Sequence, residues 1–121
     1  MTIHRFDETG GPTWPEVLES APVLVLYKHS PVCMTSSFAQ REIKALHKAL
    51  PTLPIYQVDV IHNRGLAHRM AADLQVRHES PQVFVVRDGR AVWHTSHFAV
   101  KAGTLRKQIE RAQQMDAATA P

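Results

Sequence analysis

Residues 22–50 read PVLVLYKHSPVCMTSSFAQREIKALHKAL and combine a strand-like run with a helical one. The run from Pro22 to Tyr27 is apolar, rich in strand-forming residues and free of polar alternation, which is typical of a central strand covered on both faces. A five-residue loop, Lys28 to Val32, follows it. From Cys33 to Leu50 the apolar residues recur at helical spacing and predict an α-helix. The residues of that helical stripe are Ala39, Ile43, Leu46 and Leu50.

A second strand and helix follow directly. Pro51 and Pro54 end the first helix, and Ile55 to Val60 is the next strand-like run. Asn63 is a candidate N-cap for a helix whose apolar residues recur every four positions. They are Leu66, Met70 and Leu74. Two strand–helix pairs in succession predict a parallel, right-handed βαβ unit.

The pattern changes after residue 76. Two strand-like runs, Gln82 to Val86 and Ala91 to Thr95, flank the dipeptide Asp88-Gly89, which is typical of a type I′ hairpin. These two strands should be antiparallel. A last helix, Gly103 to Gln113, buries Leu105, Ile109 and Ala112.

Two further elements precede the first strand of that unit. Thr2 to Phe6 predicts a short edge strand, Gly10 to Pro12 breaks the chain, and Trp14 to Ser20 carries a brief helical stripe. The order β-α-β-α-β-α-β-β-α predicts an α/β, thioredoxin-like three-layer sandwich with a central mixed sheet of four to five strands flanked by helices. We expect one domain over residues 1–115 and a flexible tail at 116–121.

Composition narrows the function classes. The 121 residues carry a net charge of +3, and the basic side chains are dispersed and lack a nucleic-acid-binding motif, so we expect no nucleic-acid partner. No apolar run approaches the roughly 18 residues that a membrane span needs, and no leader sequence is recognisable, so we expect a cytoplasmic protein with no membrane partner. A single cysteine excludes an internal disulfide and every zinc pattern that needs two or more cysteines.

Cys33 is the candidate reactive group. It follows the first central strand and opens the long helix, where unpaired N–H groups and the helix dipole stabilise a thiolate. Lys28 and His29 can add positive charge. The alternative is a buried cysteine that packs as a small hydrophobe. The polar neighbours Ser30, Pro31, Thr35 and Ser36 favour the reactive interpretation.

Three strings resemble a known family. They are Lys28-His29-Ser30 before the cysteine, RHESPQV at 77–83 and VWHTSH at 92–97. Over about residues 14–110 the chain resembles the monothiol bacilliredoxins, thiol redox proteins of the bacillithiol system. Their cysteine stands in a C-P-x-S pattern. The resemblance therefore implies that Cys33 is the nucleophile and that Ser36 replaces a resolving cysteine, whereas Met34 departs from the usual proline.

The resemblance also implies the chemistry. Cys33 would remove bacillithiol from S-bacillithiolated client proteins, and bacillithiol or another redoxin would resolve the mixed disulfide. Bacillithiol is then a thiol co-substrate, and no tightly bound cofactor is expected. The resemblance makes Ser80-Pro81 a cis peptide bond beside the nucleophile, with the backbone of Ser80 pairing with substrate. Cationic candidates for the malate carboxylates of bacillithiol are Lys28, His29, Arg77 and His78, each with the alternative of a solvated surface side chain.

Two other functions stay open: a carrier of an iron–sulfur cluster resembling the monothiol glutaredoxins, and a non-catalytic binding protein with a thioredoxin fold. Eight histidines are scattered along the chain, so no metal site is predicted. His94 and His97 are three residues apart and more simply support local hydrogen bonding. Met34 and Phe38 are candidates for an apolar rim where clients dock, with core packing as the ordinary alternative.

Overall fold

A computed structural model of the chain describes residues 3–6, 13–32 and 34–115. The strands are β1 (His4–Arg5), β2 (Val23–His29), β3 (Ile55–Asp59), β4 (Gln82–Arg87) and β5 (Arg90–Ser96). The helices are α1 (Trp14–Glu19), α2 (Met34–Ala49), α3 (Arg64–Leu74) and α4 (Ala102–Gln114), with a 3₁₀ turn at His97–Ala99. No helix within these ranges is both long and apolar enough to cross a lipid bilayer.

The five strands form one mixed sheet in the order β1-β3-β2-β4-β5. β2 lies at its centre, parallel to β3 and antiparallel to β4, while β1 runs parallel to β3 and β5 antiparallel to β4. The predicted parallel pairing of the first two central strands and the predicted antiparallel hairpin are both confirmed. The fold is the expected α/β sandwich.

Helices cover both faces of the sheet because the residues of β2 alternate between two cores. Val23, Val25 and Tyr27 face the core made with α2 and α4. Leu24 and Leu26 face the opposite core, made with α1 and α3. This double coverage explains why β2 has no polar alternation.

The hairpin between β4 and β5 has the geometry that its sequence predicts. Asp88 and Gly89 have φ of 50° and 79°, and both central residues of a type I′ turn need positive φ. A register shift between Val85 and Val86 lets Val85 pair with Trp93 and Val86 with Ala91. Val92 is therefore an extra residue of β5 at this point, a β-bulge.

Two expectations need correction, and others concern residues that the structure does not describe. Lys28 and His29 belong to β2 and not to a loop, because they pair with Val58 and Asp59 of β3. Asn63 precedes α3, yet its side chain makes no capping hydrogen bond. Residue 2 of the edge strand, the break at 10–12, Cys33 and the tail 116–121 lie outside the described residues.

The two glycines Gly89 and Gly103 should respond oppositely to alanine. Gly89→Ala places a Cβ in a left-handed conformation, so we expect a loss of about 1 kcal/mol in the free energy of unfolding. Gly103→Ala in α4 meets no atom within 4 Å and should be neutral or stabilising by up to about 1 kcal/mol. Urea unfolding of both variants measures the difference, and equal effects would contradict the hairpin geometry.

Candidate functional site

The candidate site lies where β2 ends and α2 begins. In the sequence Cys33 stands between Val32 and Met34, the first residue of α2. Within the described residues, a hydrogen bond from the Ser30 backbone N–H to the buried Ser36 Oγ (3.2 Å) ties the end of the strand to the first turn of the helix. This bond therefore fixes the residues before Cys33 relative to the residues after it.

A second link runs through the hydroxyl of Tyr27. Tyr27 Oη lies 2.7 Å from His29 Nδ1 and donates to the Ser36 carbonyl at 3.1 Å. A hydroxyl has one proton and a carbonyl only accepts, so the proton of Tyr27 points to Ser36 and His29 Nδ1–H donates to Tyr27. This arrangement leaves the lone pair of His29 on Nε2.

The electrostatic setting of His29 favours its neutral form. Burial lowers the pKa of His29, the charge of Asp59 opposes that shift, and Arg5 adds to it. Asp59 itself is engaged by the ring and backbone N–H of His62 and the backbone N–H of Ile61. The imidazole of His29 is thus uncharged at neutral pH and can accept a proton.

Lys28 points into the core made with α1 and α3, and its side chain is fully buried. Its Nζ lies 3.1 Å from His78 Nδ1 and 5.4 Å from the centroid of the Phe84 ring. No carboxylate of the described chain forms an ion pair with Lys28. Burial accordingly lowers the pKa of Lys28 to about 8.

His78 extends this basic group toward the surface. Its ring lies 4.7 Å from the ring of His68 in α3. Burial lowers the pKa of His78, and the nearby charges of Lys28 and His68 lower it further. His78 is therefore neutral at pH 7 and can accept the hydrogen bond of the Lys28 ammonium.

The RHESPQV string folds into a loop fixed from inside the sheet. The buried Gln82 side chain accepts from the Glu79 backbone N–H (3.3 Å) and donates to the Arg77 carbonyl (2.9 Å). The peptide bond between Ser80 and Pro81 is cis. One side-chain amide therefore sets the path of the chain before Pro81.

This loop is joined to the end of β5. The Ser96 hydroxyl donates to Glu79 at 2.5 Å, a bond that lowers the pKa of the Glu79 carboxyl. The His97 backbone N–H donates to the Pro81 carbonyl at 3.0 Å, and His97 Nε2 lies 4.0 Å from Glu79 Oε1. His97 has a φ of 55°, so the strand turns sharply here.

The predicted site residues occupy different environments. Lys28 and Ser36 are buried, so the alternative of a solvated Lys28 is wrong. His29 and Ser80 are half-buried, while Pro81 is buried. The cationic candidate Arg77 is exposed and His78 is half-buried. No three histidine, cysteine or acidic side chains in the described ranges are grouped to hold a metal ion.

The sequence patterns did not predict the role of several residues in this region. Tyr27 and Gln82 carry polar groups inside apolar strands, and that mismatch was a usable signal. The Glu79–Ser96 bond joins residues of different elements and had no local signal. The alternative that Met34 and Phe38 pack in the core is wrong, because these side chains are 81% and 50% exposed.

Lys28→Met should stabilise the protein in a pH-dependent way. The folded chain carries the cost of burying the ammonium below pH 8, and this cost vanishes above pH 10.5, where Lys28 is neutral in both states. We expect Lys28→Met to be more stable at pH 7.5 by up to roughly 3 kcal/mol, less whatever the lost bond to His78 contributes. Urea unfolding of both proteins should show this gap narrowing from pH 8 to 10.5, and a constant gap contradicts the expectation.

Tyr27→Phe should destabilise the protein by about 1–2 kcal/mol, because it removes a donor to the buried Ser36 carbonyl and the partner of the half-buried His29 Nδ1. Tyr56→Phe is the matched control. The Tyr56 hydroxyl donates to Ser20 Oγ at 3.3 Å, and Ser20 is exposed, so water can replace that bond at little cost. Equal losses in urea unfolding would show that the Tyr27–His29 contact is not specifically stabilising.

Comparisons with known proteins agree with this architecture. Residues 12–105 match the family described as monothiol bacilliredoxin BrxC. A solved protein described as having a thioredoxin fold is similar over 93% of this chain and 94% of its own, at 23% identity and a TM-score of 0.79. Thioredoxin of Trypanosoma brucei brucei is similar over 94% and 93%, at 14% identity and a TM-score of 0.72.

Thioredoxin of Fasciola hepatica is similar over 81% of this chain and 89% of its own, at 22% identity and a TM-score of 0.63. At these identities the solved proteins show the fold, and the predicted thioredoxin-like arrangement is confirmed. The family match covers most of the chain and supports a redox function. The chain belongs to the monothiol bacilliredoxin family.

Proposed function

We propose that this protein is a monothiol thiol–disulfide oxidoreductase that removes bacillithiol from S-bacillithiolated proteins. The observation that carries the proposal is the position of the chain's single cysteine. Cys33 directly precedes α2 in a chain of the monothiol bacilliredoxin family. A thiol at such a position is favoured as the thiolate, the form that attacks disulfides.

The reaction has two exchange steps. The Cys33 thiolate attacks the bacillithiol sulfur of the modified client, a new S–S bond forms, and the client sulfur leaves as a thiolate that takes a proton from solvent. The thiolate of a second bacillithiol, or of another redoxin, then attacks the mixed disulfide and releases Cys33. Cys33 ends the cycle as it began, so the external thiol is the net reductant: the client cysteine returns to a thiol, and the cap leaves as the disulfide of bacillithiol with that external thiol.

The surroundings of Ser36 support a monothiol cycle. A dithiol enzyme resolves its own mixed disulfide with a cysteine three residues after the first. Here that position is Ser36, whose buried hydroxyl oxygen accepts the Ser30 N–H. It has a structural role and carries no sulfur, so turnover needs a thiol from outside the chain.

The basic residues divide into two roles in this proposal. Arg77 is exposed and His78 is half-buried, so their N–H groups can donate to the malate carboxylates of bacillithiol. The half-buried His29 presents a lone pair on Nε2 and can bind a carboxylate only after that nitrogen takes up a proton. Lys28 is buried and acts through its charge, by favouring anions near the end of β2. Ser80 is half-buried and precedes the buried Pro81, and in this proposal its backbone pairs with the bound thiol substrate in the manner of a strand.

Intact mass spectrometry tests the proposal. Protein mixed with an S-bacillithiolated client should gain one bacillithiol adduct while the client loses one, because the cap moves to Cys33. Cys33→Ser should gain none and leave the client modified. Added bacillithiol should then remove the adduct from the wild-type protein.

A client capped with glutathione is the specificity control, and its cap should be removed more slowly. Equal rates for the two caps would contradict bacillithiol as the selected thiol. An unchanged client in the presence of wild-type protein would refute the proposed reaction itself.

A further inference from the structure

Two exposed aromatic rings meet beside the start of α2. Phe38 in α2 and Phe98 in the 3₁₀ turn are 50% and 66% exposed, and their ring centroids are 6.0 Å apart. Single exposed apolar residues are common on protein surfaces, but this pair lines a cleft of about 270 Å³ between α2 and the start of α4. We call it the Phe38–Phe98 cleft; its other lining residues are Arg41, Glu42, His97, Val100 and Lys101.

The cleft carries more positive than negative side chains, Arg41 and Lys101 against Glu42. Arg41 lies 5.8 Å from the centroid of the Phe38 ring, and no residue of the described chain forms an ion pair with Arg41 or Lys101. The acid in the cleft, Glu42, is already engaged. Its carboxylate accepts the backbone N–H of Ala102 at 2.9 Å, at the start of α4. An occupant that brings an apolar group and a carboxylate fits this surface.

The cleft is held at a defined distance from the helix start. Its far wall, the 3₁₀ turn, is attached to the loop before β4 by the hydrogen bond from His97 to the Pro81 carbonyl. Phe38 and Arg41 follow Met34 by four and seven residues, so they lie roughly 6 and roughly 10 Å along the helix. An extended chain spans roughly 3.3 Å per residue, and two to three residues therefore cover the same distance.

From this geometry we propose that the Phe38–Phe98 cleft binds the client polypeptide next to its modified cysteine, taking a large apolar side chain two residues from that cysteine and a carboxylate three residues from it. The inference rests on the proposed function, since it concerns clients held at Cys33. It adds a rule of selection: the protein prefers modified cysteines in apolar, acidic segments. Basic segments meet Arg41 and Lys101 as like charges and are disfavoured.

Four bacillithiolated peptides of equal length test this preference. They carry Leu-Asp, Leu-Lys, Gly-Asp or Gly-Lys at the second and third positions after the cysteine, and a second set of four carries the same residues at the second and third positions before it. On the favoured side, we expect kcat/KM to be about tenfold higher for leucine than for glycine, because the cleft removes its side chain from water. Aspartate should exceed lysine by about threefold at low salt, as for exposed ion pairs, and less at high salt.

Variants connect the preference to the cleft. Arg41→Glu should abolish or reverse the aspartate preference, while Lys107→Glu, an exposed charge change on α4, should keep it. Phe98→Ser should reduce the leucine preference, while Ile61→Ser, another exposed apolar residue, should keep it. A preference that persists in Arg41→Glu and Phe98→Ser overturns the inference, as do equal rates for all four peptides.

A small substrate separates the two hypotheses. The mixed disulfide of bacillithiol with 2-mercaptoethanol has no polypeptide to enter the cleft, yet it presents the same sulfur to Cys33. If wild-type protein reduces it but does not discriminate among the peptides, the inference fails and the proposed function stands. If wild-type protein reduces neither it nor any peptide, the proposed function itself has failed.

Discussion

β2 is buried on both faces of the sheet, and this double burial governs how the other elements are arranged. β3 and β4 flank this strand, and α-helices cover it above and below, so none of its six residues from Val23 to Lys28 is exposed. Apolar side chains satisfy that constraint along most of the strand. At its end the sequence becomes polar, and each polar group must find a partner inside the protein.

The polar groups at the end of β2 therefore organise the site. Tyr27 faces one core and reaches His29 and the first turn of α2, while Lys28 faces the other core and reaches His78. Alternation along a strand sends these two neighbours to opposite sides of the sheet. One strand thus fixes a hydrogen-bonded group on one side of the sheet and a buried positive charge on the other.

The sequence was informative about the fold and less so about the site. Helical and strand periodicity, together with the Asp88-Gly89 turn, predict the order of the elements and two strand pairings, β2 with β3 and β4 with β5, because those signals are local. The pairing of β2 with β4 joins distant segments and has no such signal. Polarity predicts a loop at Lys28, because lysine is rarely buried, and only the register with β3 and β4 shows that the residue is inside. Phe38 and Phe98 are 60 positions apart, and no local pattern predicts that their rings meet.

The buried hydroxyl of Ser36 has a consequence for how fast such a protein can work. In the proposed cycle, an internal thiol would release the captured cap at a rate that belongs to the protein alone. With oxygen at this position, release of the cap requires a second molecule. Its rate therefore rises in proportion to the concentration of the external thiol. The protein would then be fastest in surroundings rich in reduced thiol, and would stay capped when that supply is exhausted, as a molecular record of oxidative conditions.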